Sequence, residues 1–160
     1  TKRLGLSSLD KYNESILSNS QKGVVVYFGN ITNSLPLIKN SKLFIFPSYA
    51  EGLSNVVIEA IYCRVPILMS NCPGNNYIAD IIGRRSIPLK KAYPLSYIDI
   101  QGRNINNPKM LKKSIERQLK ISSHDKFTFK EIEYLLNPFT IKNNANKWED
   151  IVNSIQIKRK

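Results

Sequence analysis

Three short stretches of this chain are apolar from end to end, and they constrain its fold more than any other feature. The stretches are residues 24–28, 43–46 and 65–69. Strands that are buried on both faces have this composition, as in parallel sheets, whereas strands with one face in water alternate apolar and polar residues. Residues 33–40 and 55–64 have the apolar spacing of short helices. The alternation predicts an α/β protein with a Rossmann-like open parallel sheet and helices on both faces.

The rest of the chain carries weaker signals. Residues 73–76, Pro-Gly-Asn-Asn, have the composition of a turn. Residues 77–82 predict one or two helical turns that Gly83 closes as a C-cap, and residues 86–89 predict a short edge strand. The last third of the chain is predicted to be mainly helical, with helices that begin at Pro108, at residue 127 and near Thr140.

Length and composition limit the class of protein. The 160 residues suit one domain, residues 1–160, with a sizeable core. No apolar run approaches the ~20 residues that span a bilayer. One histidine and two cysteines exclude a disulfide framework and a metal site rich in these residues. We expect a cytoplasmic protein with reduced thiols and, since residue 1 is Thr rather than Met, a piece of a longer chain.

The net charge of +12 is large. It would suit nucleic acid, acidic lipid or phosphorylated small molecules. The chain is also rich in Lys, Asn and Ile, so a solvated basic surface explains the charge equally well. Tyr93 and Tyr97 lie among basic residues, but there is no RNA-binding signature, and we expect no nucleic-acid partner. His124 is expected in a surface loop, and Trp148 either in the core or at a domain interface.

Ligands of open parallel sheets lie beyond the carboxyl ends of the strands. That rule marks residues 29–33, 47–55 and 70–77. In the middle loop, Gly52 permits a backbone conformation that other residues resist, and Ser54 and Asn55 are good N-caps. The helix that follows would offer free N–H groups and its positive dipole end to a phosphate.

Two glutamates flank that helix start. Glu51 follows the second apolar stretch, and Glu59 lies among apolar residues inside the next helix. An ionised carboxylate only accepts hydrogen bonds, so it suits the hydroxyls of a sugar, and a Glu in apolar surroundings is costly unless it is paired or faces a ligand. Together the residues predict a nucleotide-sugar site. On spacing alone, a solvated Glu51 and an ion-paired Glu59 explain the pair as well.

The full pattern P-S-x-x-E-G-x-x-N-x-x-x-E-A, from Pro47 to Ala60, is followed by V-P-I at residues 65–67. It resembles the C-terminal, donor-binding domain of retaining glycosyltransferases of the GT-B fold, group 1, with the Glu-x7-Glu motif of enzymes that build capsule and lipopolysaccharide. The likeness covers roughly residues 20–80. It implies an enzyme of the hexosyltransferase type that transfers sugar from a nucleotide sugar, expected to be a UDP-sugar, to a glycan or lipid-linked acceptor. The donor is the substrate, and no further cofactor and no metal are implied.

The resemblance also implies roles for individual residues. Glu51, the catalytic candidate, would hydrogen-bond the transferred sugar, and Glu59 would bind the ribose hydroxyls. The other donor-binding positions would be Ile31 near the nucleobase, the backbone N–H groups of Gly52, Leu53 and Ser54 at the sugar and diphosphate, and Asn55 and Val56 at the distal phosphate.

Some family features are absent or changed. The Arg and Lys that clamp the diphosphate and the acceptor-binding domain lie upstream of the matching region in the family. Arg64 stands where a Gly is common, and Tyr77 where a Glu is frequent. We therefore expect the isolated chain to be weak or inactive. Two alternative functions remain: a nucleotide-sugar epimerase, and a non-catalytic basic domain that binds polyanions or a partner protein. In addition, the protein could contact the inner face of an anionic membrane peripherally.

Overall fold

The computed structural model describes residues 26, 28, 31–98, 100–101, 104–105, 107–121, 127–147 and 149. The chain divides into two compact units, residues 1–34 and 35–160. In the first unit, Val26 and Phe28 are 63% and 58% exposed and lie in neither a helix nor a strand. The second unit contains the sheet and the helices described next.

Helices and strands alternate through the first half of this unit. The helices are α1 (Leu35–Lys39), α2 (Asn55–Tyr62), α3 (Pro73–Ser86), α4 (Pro108–Leu119) and α5 (Phe129–Leu136), which a 3-10 turn (Asn137–Phe139) follows. The strands are β1 (Phe44–Phe46), β2 (Ile67–Ser70), β3 (Leu95–Ile98), β4 (Ile100–Gln101) and β5 (Asn104–Ile105). Residues 141–147 are also helical.

The main sheet has the order β1-β2-β3, and both strand pairs are parallel. The central strand β2 is buried along its whole length, as its uniformly apolar composition predicts. Ile67 and Met69 belong to the large core that α2, α3 and α5 complete, while α4 packs against β2 and β3 and Gln118 donates a hydrogen bond to Ser96 Oγ. The predicted α/β class is confirmed, and β4 and β5 add a small antiparallel pair.

Several local predictions are wrong. Residues 73–76 are not a turn, because Pro73 is the first residue of α3, and the helix continues through Gly83 to Ser86. Residues 87–90 form turns instead of an edge strand. The strand that follows α3 is β3, at Leu95–Ile98, which lies later in the chain than the predicted edge strand. For residues 24–28, the exposure of Val26 and Phe28 contradicts the buried strand, and the other residues of that stretch lie outside the described ranges.

Strand β1 is also less buried than its composition predicts. It lies at the edge of the described sheet, with Phe44 and Phe46 half-buried against the core and Ile45 exposed. An apolar run shows that a strand can be buried, but the number of layers that pack on it depends on the rest of the chain.

Helix α5 is held by cationic side chains from outside it. The guanidinium of Arg64 lies 4.4 Å from the ring centroid of Phe129, and Arg64 Nη1 donates to Phe127 O at 3.2 Å. Arg85 lies 4.1 Å from the ring centroid of Tyr134 and donates to Tyr134 O at 2.7 Å. Each contact combines a cation over a ring with a hydrogen bond to backbone, so both arginines fix the position of this segment.

Thr128 and Glu131 form a capping box at the start of α5. A hydrogen bond from Lys91, at 2.6 Å, and one from the Thr128 N–H lower the pKa of Glu131 from its usual 4.5 to about 2. A carboxyl whose pKa is lower in the folded state stabilises the fold above its unfolded pKa, and this stabilisation is lost as the pH falls through the folded value. The pH window for Glu131 therefore runs from 4.5 down to about 2.

We expect Glu131→Gln to flatten the acid dependence of stability. The wild-type urea midpoint should fall more steeply than that of the variant across this window, because the glutamine amide keeps the shape of the cap but does not titrate. Urea unfolding at a series of pH values measures the difference. Glu133→Gln, which changes an exposed carboxylate of the same helix, is the control and should follow wild type. Parallel curves for wild type and Glu131→Gln would contradict the prediction.

Candidate functional site

Two of the three predicted ligand loops meet at one edge of the sheet. Strands β1 and β2 are parallel, so the loop after Phe46 and the loop after Ser70 emerge on the same side. The first turn of α3 packs directly on the middle loop. A Cβ atom added to Gly74 would lie 2.6 Å from Glu51 O and 2.7 Å from the Gly52 carbonyl carbon, and closer still to Gly52 O. The third loop, residues 29–33, belongs to the other unit, and its part in a site stays a prediction.

A chain of buried hydrogen bonds joins the two loops. Ser54 Oγ donates to Asn75 Oδ1 at 2.6 Å. Asn75 Nδ2 donates to Ser70 O at 3.0 Å and to Ser70 Oγ at 3.2 Å, and Ser70 Oγ donates to Ser48 O. Ser54 and Ser70 are 2% exposed and Asn75 is 0% exposed. Buried polar groups that are satisfied in this way rigidify the structure around them.

The N-terminus of α2 has no side-chain cap. Ser54 is at the N-cap position, but its hydroxyl is turned to Asn75 and makes no capping hydrogen bond. The capping role predicted for Ser54 is therefore wrong, and Asn55 is the first helical residue, with an exposed side chain. The first N–H groups of a helix have no acceptor within the helix. Those of Asn55 and Val56 are thus the ones that an anion could use.

Gly52 is not required for the conformation of its loop. Its backbone φ does not lie in the left-handed region, and a Cβ atom at this position would meet nothing within 4 Å. The conformational role predicted for Gly52 is wrong, and Gly74 is the glycine that the packing needs. Leu53, next in the loop, is exposed. The open space beside Gly52 leaves room for a ligand at this point.

Glu51 is half-buried, and its Oε1 accepts a hydrogen bond from Ser48 Oγ at 2.5 Å. Within the described residues, no Lys or Arg pairs with it. Glu59 is half-buried on α2, about one turn beyond the N-terminus of the helix. Burial and the charge of Glu59 raise the pKa of the Cys63 thiol, which places this carboxylate near Cys63. Both glutamates thus lie on the loop and helix that the sequence assigned to them.

The remaining candidates fall into three groups. Tyr77 packs edge-to-face on Phe139, with ring centroids 6.5 Å apart, so it links α3 to the 3-10 turn. Tyr93 is buried, donates to Val65 O at 2.8 Å, and is not available to stack on nucleic acid. His124 and Trp148 lie outside the described residues.

Two other kinds of site are not found in the described ranges. No helix there is long and apolar enough to cross a bilayer. The same ranges contain no group of three or more His, Cys, Asp or Glu side chains that could hold a metal ion. Peripheral contact with an anionic membrane stays a prediction.

Sequence comparisons give two matches. The family model described as "Glycosyl transferases group 1" matches residues 5–90. The N,N'-diacetylbacillosaminyl-diphospho-undecaprenol alpha-1,3-N-acetylgalactosaminyltransferase of Campylobacter jejuni subsp. jejuni serotype O:2 is 38% identical over 52 residues. That match covers 32% of this chain and 14% of the relative. No solved structure matches the chain significantly.

Proposed function

Because this chain belongs to the glycosyl transferases of group 1, we propose that it is the donor-binding part of a two-domain GT-B enzyme. The enzyme would transfer a sugar from a nucleotide sugar, taken to be a UDP-sugar, with retention of configuration. The acceptor would be a glycan or a lipid-linked sugar bound by a second domain. The name of the Campylobacter relative, which includes a diphospho-undecaprenol acceptor, supports the lipid-linked class.

The observation that carries the proposal is the uncapped N-terminus of α2 beside the Glu51 loop. Free N–H groups and the positive dipole end of a helix attract phosphate. A donor would place its diphosphate against the N–H groups of the first turn, near Ser54, Asn55 and Val56. The loop backbone at Gly52 and Leu53 would line the sugar.

The two carboxylates would bind the two ends of the donor. Glu51 would accept hydrogen bonds from the hydroxyls of the transferred sugar, and Glu59 would accept them from the ribose. Each half of the donor would thus have one acidic partner, and the diphosphate between them would lie at the helix N-terminus.

In the reaction, the bond between the anomeric carbon and the diphosphate oxygen breaks, and negative charge develops on the leaving diphosphate. N–H groups that are already oriented stabilise that charge without reorganising. The acceptor hydroxyl forms the new bond on the face that the diphosphate leaves, and its proton passes to the departing diphosphate oxygen. The described residues would therefore act through positioning and charge stabilisation.

Calorimetric titration with UDP and with UDP-N-acetylgalactosamine tests the proposal. Glu59→Ala should weaken both ligands about tenfold or more, since each contains the ribose, and a lost hydrogen bond to a charged group has an effect of that size. Glu51→Ala should weaken only the UDP-sugar. Glu116→Ala, an exposed carboxylate of α4, should change neither affinity.

Two outcomes would contradict the proposal. The first is the absence of saturable binding of either ligand by the full-length protein. The second is binding that falls steeply with salt but is indifferent to both glutamates, which would favour the basic module that binds polyanions.

A further inference from the structure

We infer that Ser48 is a positioning residue that holds the Glu51 carboxylate in the orientation needed to bind the transferred sugar. Ser48 Oγ donates to Glu51 Oε1 at 2.5 Å, which is within the short range of hydrogen bonds to ionised acceptors. Its second neighbour, Ala50 O, is 3.4 Å away. The hydroxyl has a single proton, and the shorter, charged acceptor takes it. The inference rests on the function proposed for Glu51.

The backbone of Ser48 is itself held by a hydrogen bond from the end of β2. Its carbonyl oxygen accepts the hydrogen bond of Ser70 Oγ, at the end of the buried strand β2. Ser70 in turn accepts two hydrogen bonds from the fully buried Asn75. The hydrogen bonds of Ser70 and Asn75 therefore hold the backbone of Ser48, and Ser48 in turn orients Glu51.

The geometry leaves half of the carboxylate for a ligand. Oε1 is engaged by Ser48, and in the described part of the chain no donor contacts Oε2. Each carboxylate oxygen can accept two hydrogen bonds. A sugar hydroxyl that reaches Oε2 meets a side chain already held in one rotamer, so less conformational freedom is lost when the donor binds.

This arrangement acts on the sugar end of the donor only. UDP alone has no group at the Glu51 position, so its affinity should not depend on Ser48. The ratio of the two affinities, UDP-sugar to UDP, thus distinguishes a positioning role from a general loss of structure, which would weaken both ligands. The variant should also fold, because the backbone carbonyl of residue 48, which accepts from Ser70, is kept in Ser48→Ala.

The experiment is a calorimetric titration of the full-length protein with UDP and with UDP-N-acetylgalactosamine. Ser48→Ala is expected to weaken the UDP-sugar about tenfold and to leave UDP within about twofold of wild type. Ser48→Thr, which keeps the hydroxyl, should restore most of the UDP-sugar affinity. Ser41→Ala, whose hydroxyl donates to Ile38 O at 2.7 Å outside the site, is the matched control and should change neither ligand.

A double-mutant cycle adds the decisive comparison. In a Glu51→Ala background, Ser48→Ala should have little further effect, because the carboxylate that Ser48 orients is absent. The inference would be overturned if Ser48→Ala and wild type bound the UDP-sugar equally well. Equal losses of affinity for UDP and the UDP-sugar, or additive effects in the cycle, would overturn it too. Each of these outcomes would leave the proposed function intact. A wild-type protein that binds neither ligand would instead contradict the proposed function itself.

Discussion

Gly74→Ala should destabilise the fold strongly, by about 3 kcal/mol, and should abolish donor binding in the protein that remains folded. The added Cβ would lie 2.6 Å from Glu51 O and 2.7 Å from the Gly52 carbonyl carbon. These are backbone atoms, so no side chain can rotate to relieve the overlap. Either α3 must shift away from the sheet edge or the Glu51 loop must move. Urea unfolding and titration with UDP measure the two effects.

Gly83→Ala is the matched control on the same helix. A Cβ at Gly83 would meet nothing within 4 Å, and Ala is favoured over Gly inside a helix by about 0.5–1 kcal/mol. The same chemical change should therefore stabilise the protein at position 83 and destabilise it at position 74. Similar changes in stability at the two positions would show that α3 does not pack on the loop as described.

Asn75→Ala is also expected to have a large effect, a loss of about 2–4 kcal/mol in the free energy of unfolding. The variant removes the acceptor of Ser54 Oγ and the donor to Ser70 O and Oγ. Asn75 is fully buried, so bulk water does not replace the hydrogen bonds that Ser54 and Ser70 lose. Denaturant unfolding measures the loss.

The variant should also weaken phosphate binding. Without Asn75, the Ser54 hydroxyl can turn to its own helix and accept from the N–H groups that the diphosphate would otherwise use. Asn76→Ala, one residue along, is the control. Asn76 is half-buried, and its Nδ2 donates to Asn71 Oδ1 at 2.7 Å, a single contact whose loss should change stability by less than about 1 kcal/mol. If both variants lost equal stability, the buried hydrogen bonds of Asn75 would not be what stabilises the two loops.

The sequence predicts the elements whose signals are local. Helix α2 follows from its apolar spacing, the start of α4 from Pro108, and the central strand β2 from its composition. The first turn of α3 could not be predicted in this way. Pro-Gly-Asn-Asn has the composition of a turn, but tertiary packing overrides this local preference. Gly74 is needed for close packing on the loop, and Asn75 for hydrogen bonds to Ser54 and Ser70.

The candidate site likewise has features that the sequence predicts and features that it does not. The spacing of Glu51 and Glu59 and the position of their loop can be seen in the sequence. The bonds that orient the loop cannot, because they join residues 21 or 22 positions apart, Ser54 to Asn75 and Ser70 to Ser48. Nothing in the local pattern indicates that Ser54 turns its hydroxyl inward instead of capping α2, so that prediction failed although the N-cap position was correct.

The backbone of Arg64 links a tight turn after α2 to the last part of the described chain. Its φ of 61° is a conformation that costs a side-chain-bearing residue roughly 1–2 kcal/mol and a glycine almost nothing. Here the arginine recovers a similar amount through its contacts with Phe127 and Phe129. A glycine at position 64 would avoid the strain, but it would lose the contacts that hold residues 127–129. The choice of residue at a single tight turn is therefore tied to the architecture of a segment more than sixty residues away in the chain.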